Sequence, residues 1–190
     1  ALDAGIEKFI FVTSPDKESI LDYFKSDTKL ENILKKKNPE LLKLVTDNLL
    51  LESNLIEVIQ EQPLGLGHAI WCAREHIDGP FAVILPDDLV ISKVSCIKQM
   101  IKTYQKNKSN IIALQEVHKK DISKYGVIKY HKYNKNTFYI DDMIEKPSSE
   151  KAPSNLAIIG RYILLPSVIK ELFNKEIGAG GEIQLTDAIK

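Results

Sequence analysis

Phe81-Ala82-Val83-Ile84-Leu85-Pro86-Asp87-Asp88 decides the fold class. The apolar run is short, has no polar alternation and is stopped by Pro86, so it reads as a strand buried on both faces, as in α/β sheets. Two carboxylates follow at its carboxyl end, the edge where open α/β sheets collect ligands. The pair has two readings. Asp87 and Asp88 form a turn and helix N-cap, or they hold magnesium for phosphate chemistry, one or two carboxylates sufficing when phosphate and water fill the other positions.

Outward from this stretch, helices and strands mostly alternate. Upstream, Gly5 caps a helical turn, Lys8 to Thr13 reads as a buried strand, and a helix starts at Ser14-Pro15-Asp16 and runs to about Phe24. A charged helical stretch from Leu30 to Leu51 breaks at Asn38-Pro39, because proline cannot continue a helix. Strand Leu55 to Ile59 leads through a Gly-rich loop to a helix over Gly67 to His76. Downstream come a helix over Val94 to Gln105 and a strand over Ile111 to Gln115. Then the character changes. Val127 to His131 and Thr137 to Ile144 form a hairpin around Asn134-Lys135-Asn136, followed by strand Ala157 to Leu165. Helix Ser167 to Asn174, the loop Gly178 to Gly181 and a last helix close the chain. The first half therefore reads as α/β with a mostly parallel sheet, and the second adds antiparallel strands.

Composition narrows the function. The 190 residues carry 26 Lys+Arg against 26 Asp+Glu, with 44% hydrophobic and 27% charged residues, an ordinary globular balance. Net neutrality gives no footprint for nucleic acid. The basic residues are nearly all lysine, Arg74 and Arg161 excepted, which weakens that reading further. No apolar run spans a bilayer and no secretory leader pattern opens the chain, so a soluble, cytoplasmic protein acting on small molecules is expected. Cys72 and Cys96 are too few for a disulfide framework or a cysteine zinc site. The four histidines show no metal spacing, and no G-x-S-x-G elbow supports a serine hydrolase.

Three further stretches carry chemistry. Gln60-Glu61-Gln62-Pro63-Leu64-Gly65-Leu66-Gly67-His68-Ala69 runs from a strand into a helix; it is neither a dinucleotide fingerprint nor a P-loop. It is a tight strand-to-helix turn, or a place where small residues and free N–H groups admit a ligand, with the Gln60 amide suited to a pyrimidine edge. Met143-Ile144-Glu145-Lys146-Pro147 ends a strand, where neighbours point to opposite faces unless a turn intervenes. Glu145 and Lys146 are a solvated strand end, or a carboxylate for sugar hydroxyls beside a cation for phosphate. Asp187, in Gly181-Glu182-Ile183-Gln184-Leu185-Thr186-Asp187, is an exposed helical acid or a second magnesium ligand.

Taken in order, QEQPLGLGHAI, VILPDDL, YGVI, MIEKP, SNLAIIGRYIL and GAGGEIQLTDAI resemble the bacterial UTP–glucose-1-phosphate uridylyltransferases, or UDP-glucose pyrophosphorylases, from Ala1 to Lys190. The resemblance implies a Rossmann-like, glycosyltransferase-A-like α/β fold with a mixed sheet flanked by helices. It implies magnesium-dependent conversion of UTP and glucose 1-phosphate to UDP-glucose and pyrophosphate by a cytoplasmic homo-oligomer. It also implies site residues. Gln60 reads uracil and Gly65 lies under the base. Asp87 is a catalytic magnesium ligand, Asp88 lies near the ribose and Asp187 is a second acid near the metal. Gly126 approaches the hexose, Glu145 binds its hydroxyls, and Lys146, also catalytic, holds the sugar phosphate. Residues 1–190 are expected to be one nucleotidyltransferase domain truncated at both ends, 1–115 binding nucleotide and 116–190 binding sugar. The family's Gly-rich triphosphate loop and C-terminal helices have no counterpart in this stretch, so the segment alone is expected to be inactive. The rival expectations are a relative using dTTP, CTP or ATP, and a non-catalytic interaction subunit of the same fold.

Overall fold

The computed structural model describes residues 1–15, 17, 19–22, 24–46, 54–134, 136–173 and 181–190. Asp16, the end of the predicted helix at 47–51, Lys135 of the hairpin tip and loop residues 178–180 lie outside them. Two compact units appear, Ile6–Pro63 and Ala1–Gly5 with Leu64–Lys190.

In the first unit, β1 (Phe9–Thr13) and β2 (Leu55–Ile59) pair in parallel, Phe9 opposite Leu55 and Thr13 opposite Ile59. Gln60 extends the ladder by donating its N–H to Thr13 O at 2.7 Å. A single turn, α1 (Ser19–Asp22), seats Leu21 at 1% exposure. The charged stretch is two helices, α2 (Thr28–Lys37) and α3 (Pro39–Thr46). Asp27 caps α2 by accepting from the Lys29 and Leu30 N–H groups, while Lys35–Lys37 suit the negative end of its dipole. Pro39 opens α3, the first helical position being the one that tolerates a missing N–H.

The second unit opens with the 3₁₀ turn Leu2–Ala4, capped by left-handed Gly5. Its helices are α4 (Leu66–Cys72), α5 (Cys96–Asn107), α6 (Ser167–Phe173) and α7 (Leu185–Ile189). Its strands are β3 (Phe81–Ile84), β4 (Ile111–Glu116), β5 (Val127–Lys132), β6 (Phe138–Ile144) and β7 (Leu156–Leu164). β7 organises the sheet. β4 pairs along one edge, and β3 and β5 share the other, all antiparallel to β7. The shared edge follows from double pairing: Ile163 lies between Ile111 and Ala82, and Ala157 between Gln115 and Val127. β3 and β4 therefore run in the same direction but are joined through β7, not to each other as a parallel pair. The inserted strand comes from the second half of the sequence, which local apolar pattern does not reveal.

Ile158, Tyr162 and Leu164 of β7 join Ile128, Met143, Ile70, Val168, Leu172 and Leu185 in one core under α4, α6 and α7. α5 packs on β4 and β7 through buried Ile97 and Met100. No helix among the described residues is long and apolar enough to cross a membrane.

Candidate active site

β3 and β5 part company along β7. The Leu85 N–H bonds Gly160 O and the Ile158 N–H bonds Gly126 O, both at 2.8 Å, so the two strands leave the same edge two residues apart. Opposite this point, Ile159, Gly160 and Arg161 of β7 face Ala113 alone, a bulge of the kind common beside functional sites. A cavity of about 210 Å³ opens at the fork. Ile158, Gly160 and Tyr162 form its floor, Asp88 comes from the β3 exit, and Tyr125 and Gly126 from the β5 entry. Glu145 and Lys146 come from the end of β6, with Glu182 and Thr186 before and in α7.

Glu145 and Lys146 share the cavity although they are neighbours on a strand end. Lys146 has φ 45°, a left-handed conformation that non-glycine residues rarely adopt, and its N–H bonds Tyr125 O at 3.1 Å. That turn brings the second side chain to the side of the first. Burial raises the Glu145 carboxyl above its ordinary value, with Lys146 and the Thr186 hydroxyl opposing and Asp187 and Glu182 reinforcing. Thr186 Oγ1 donates to Glu145 Oε2 at 3.5 Å. A methyl on Gly126 would lie 3.0 Å from the same oxygen. Tyr162 is pushed up to about 12 by burial and by the Glu145 and Asp88 charges, so it stays a neutral phenol able to donate.

Asp88 is half-buried and tied down: its Oδ2 accepts from the Gly160 N–H at 2.7 Å. A methyl on Gly160 would lie 2.6 Å from that oxygen and 2.6 Å from Leu85 Cβ, so only glycine permits the approach. Asp87, next in the chain, is exposed and outside the cavity lining. Asp187 is exposed, 4.0 Å from Lys190 Nζ, and reaches Glu145 through its charge. Among the described residues no three His, Cys, Asp or Glu side chains converge as a metal cage.

The glycine loop serves the chain itself as well as any ligand. Gly65, at φ 91°, precedes α4, and a methyl there would lie 2.7 Å from Glu182 Cβ. Ile183 donates to Leu64 O at 2.7 Å and accepts from the Gly67 N–H at 3.0 Å, so residues 182–184 dock onto the loop as a strap. Gln60 lies in the other unit, half-buried at the end of β2. Burial raises both free thiols, Cys72 and Cys96, which argues against thiolate chemistry.

The structure thus gathers Asp88, Gly126, Glu145 and Lys146 in one cavity and adds Gly160, Tyr162, Glu182 and Thr186, which residue reasoning passed over. A signal for Gly160 existed: a glycine inside an apolar strand marks a close approach.

The nucleotidyl transferase family model matches residues 1–190. The chain is 42% identical to a UTP–glucose-1-phosphate uridylyltransferase of Komagataeibacter xylinus, over 100% of this chain and 67% of that protein. It is similar to a UDP-glucose pyrophosphorylase solved with UDP-glucose, with TM-score 0.84 and 42% identity over 98% of this chain and 69% of the other. It is also similar to the UTP-bound enzyme of Acinetobacter baumannii, with TM-score 0.86 and 36% identity over 99% of this chain and 66% of the other. The chain spans about two thirds of the length of these relatives.

Proposed function

This chain belongs to the nucleotidyl transferase family, on the branch of the UTP–glucose-1-phosphate uridylyltransferases, and we propose that its site serves the conversion of UTP and glucose 1-phosphate to UDP-glucose and pyrophosphate. One observation carries the reading: with the left-handed turn at Lys146, an acidic and a basic residue that are chain neighbours both line the same small cavity. A carboxylate beside a cation is what a sugar phosphate requires, hydroxyls donating to the one and phosphate to the other.

The reaction is in-line attack by the sugar-phosphate oxygen on the α-phosphorus of UTP, with pyrophosphate leaving. No covalent enzyme intermediate is needed, so catalysis is positioning and charge neutralisation. Lys146 holds the attacking phosphate and neutralises its charge. Glu145 accepts from the hexose hydroxyls while the Gly126 backbone lets the ring approach. Tyr162 remains protonated and offers a donor at the cavity floor. Residues 1–115 bind the nucleotide, with Gln60 reading uracil, Gly65 beneath the base and Asp88 near the ribose; residues 116–190 bind the sugar. Family membership goes with use of a divalent cation, which we take to be magnesium. Two carboxylates suit magnesium, which completes its shell with phosphate and water. Asp87 and Asp187 would hold it, and it would supply charge neutralisation at the phosphoryl oxygens. We further place the protein in the cytoplasm as a homo-oligomer.

The test, made in the full-length protein that carries residues 1–190, is turnover of glucose 1-phosphate with UTP, CTP, dTTP and ATP in parallel, each with magnesium. UTP should be preferred, and Gln60→Ala should weaken UTP use and blur UTP against CTP, an unpaired polar group being worth about 1–3 kcal/mol. Preference for another nucleotide, no turnover with any, or unchanged discrimination in the variant sinks the corresponding assignment.

A further inference from the structure

On the face of β7 away from the cavity, the side chain of Arg161 is buried at 9% exposure. Its guanidinium donates to Leu85 O at 2.5 Å, to Gly160 O at 2.8 Å and to Asp88 O. Gly160 adds two more bonds to the same segment, its carbonyl accepting from the Leu85 N–H at 2.8 Å and its N–H donating to Asp88 Oδ2 at 2.7 Å. Residues 85–88 are therefore clasped at both ends by two consecutive residues of β7. A buried guanidinium is costly to desolvate, and carbonyl dipoles compensate it only if several converge. Here three converge, and two of them belong to the segment that carries Asp87.

We infer that Arg161 is a positioning residue for uridylyl transfer, fixing the backbone on both sides of Asp87 and thereby the place where its carboxylate meets cation and phosphate. The inference rests on the reaction proposed above. Arg161 lies outside the cavity lining and acts through the segment it holds. Arginine is required by geometry. A planar fork with five N–H donors reaches separate carbonyls at once, whereas a lysine ammonium is a compact point donor.

Arg161→Lys and Arg161→Met, made in the full-length protein that carries residues 1–190, test this against the unsubstituted parent in two measurements. In steady-state transfer with magnesium varied, Arg161→Lys should lower kcat and raise the magnesium concentration for half-maximal rate. Each change should be about 10–100-fold, as for loss of a group that orients a metal ligand. KM for glucose 1-phosphate should hold, because Glu145 and Lys146 are placed by β6. In amide hydrogen exchange without ligand or cation, exchange should quicken at residues 85–90 and stay at the parental rate over residues 127–132. Unchanged magnesium dependence, unchanged exchange at 85–90, or a KM for glucose 1-phosphate that rises as much as kcat falls overturns the inference. If Arg161→Met fails to fold, Arg161→Lys, which keeps charge and length, decides alone. A parent protein without uridylyl transfer overturns the reaction and this role together, and the parent's own rate separates that case from failure of the inference alone.

Discussion

The end of β3 and the end of β6 each present adjacent ionisable residues, Asp87–Asp88 and Glu145–Lys146, yet they are positioned by different means. The first pair is held from a distance. Its bonds run to Gly160 and Arg161, 72 and 73 residues along the chain. The second pair is held by its own backbone, through the left-handed Lys146 and one bond to Tyr125 O. Remote positioning makes a site sensitive to changes in a strand that never touches ligand. Local positioning concentrates the sensitivity in a single φ angle.

Gly160→Ala should give the largest effect, because it strikes the remote device at its point of contact. The added methyl, 2.6 Å from both Asp88 Oδ2 and Leu85 Cβ, must push the β3 exit away. Overpacking of this kind costs about 1–3 kcal/mol of stability. An ångström of misplacement near the chemistry costs about 10²-fold in rate. Parental kcat in this variant would mean that the two ends are not separately controlled.

An intermediate effect separates backbone from charge at the other end. Lys146→Ala and Lys146→Gly both remove the cation and should lower kcat/KM for glucose 1-phosphate alike, a charged hydrogen bond being worth about 1.5–3 kcal/mol. Their stabilities should differ. Glycine adopts φ 45° freely, whereas alanine keeps a strain of about 1–2 kcal/mol. Urea unfolding should rank the glycine variant above the alanine variant, and equal midpoints would show that the local turn is not what holds the pair.

The smallest effect has its sign set by Glu145. Its folded carboxyl lies above the ordinary value of 4.5, so the native chain binds that proton more tightly than the unfolded chain. Its contribution to stability is full below the ordinary value and is lost as pH rises through the folded value. Ionisation of this half-buried carboxyl therefore disfavours the free fold slightly. Glu145→Gln should raise Tm at pH 7 by ~1 °C, small because solvent screens a half-buried group. The gain should vanish near pH 4 while use of glucose 1-phosphate weakens at pH 7. A lower Tm at pH 7 would reverse the sign and place the Glu145 charge in a stabilising role.

Local chemistry was readable, and distant partnership was not. Pro86 and Pro39 stop their elements where proline must, so β3 and the α2–α3 break follow from single residues. Glu145 and Lys146 were placed on a strand end, but nothing in a lysine announces a left-handed turn, least of all before Pro147. Asp88 was legible as a carboxylate beyond a buried strand, whereas its partner Gly160 was not, because the choice of β7 as neighbour depends on tertiary packing. The glycines at 65 and 67 read as a tight strand-to-helix turn or as room for a ligand, and the strap at 182–184 occupies part of that room. The parts given to Gln60, Asp87 and Asp187 rest on the family resemblance, which no local pattern replaces.

The fork of β3 and β5 along one edge of β7 makes this region intolerant of changes in length, whatever its tolerance of changes in identity. Gly160 and Ile158 each meet a different strand, and faces alternate residue by residue. One residue inserted between them would turn Tyr162 away from the cavity and Arg161 toward it, exchanging a phenol for a cation in a single step. At the far end of β5 the Tyr133 and Asn134 N–H groups bond Thr137 O, away from the Val127–Ala157 pairing, so residues added there leave the register along β7 alone. Descendants of this chain should therefore vary in size at the hairpin and keep count, residue for residue, along β7.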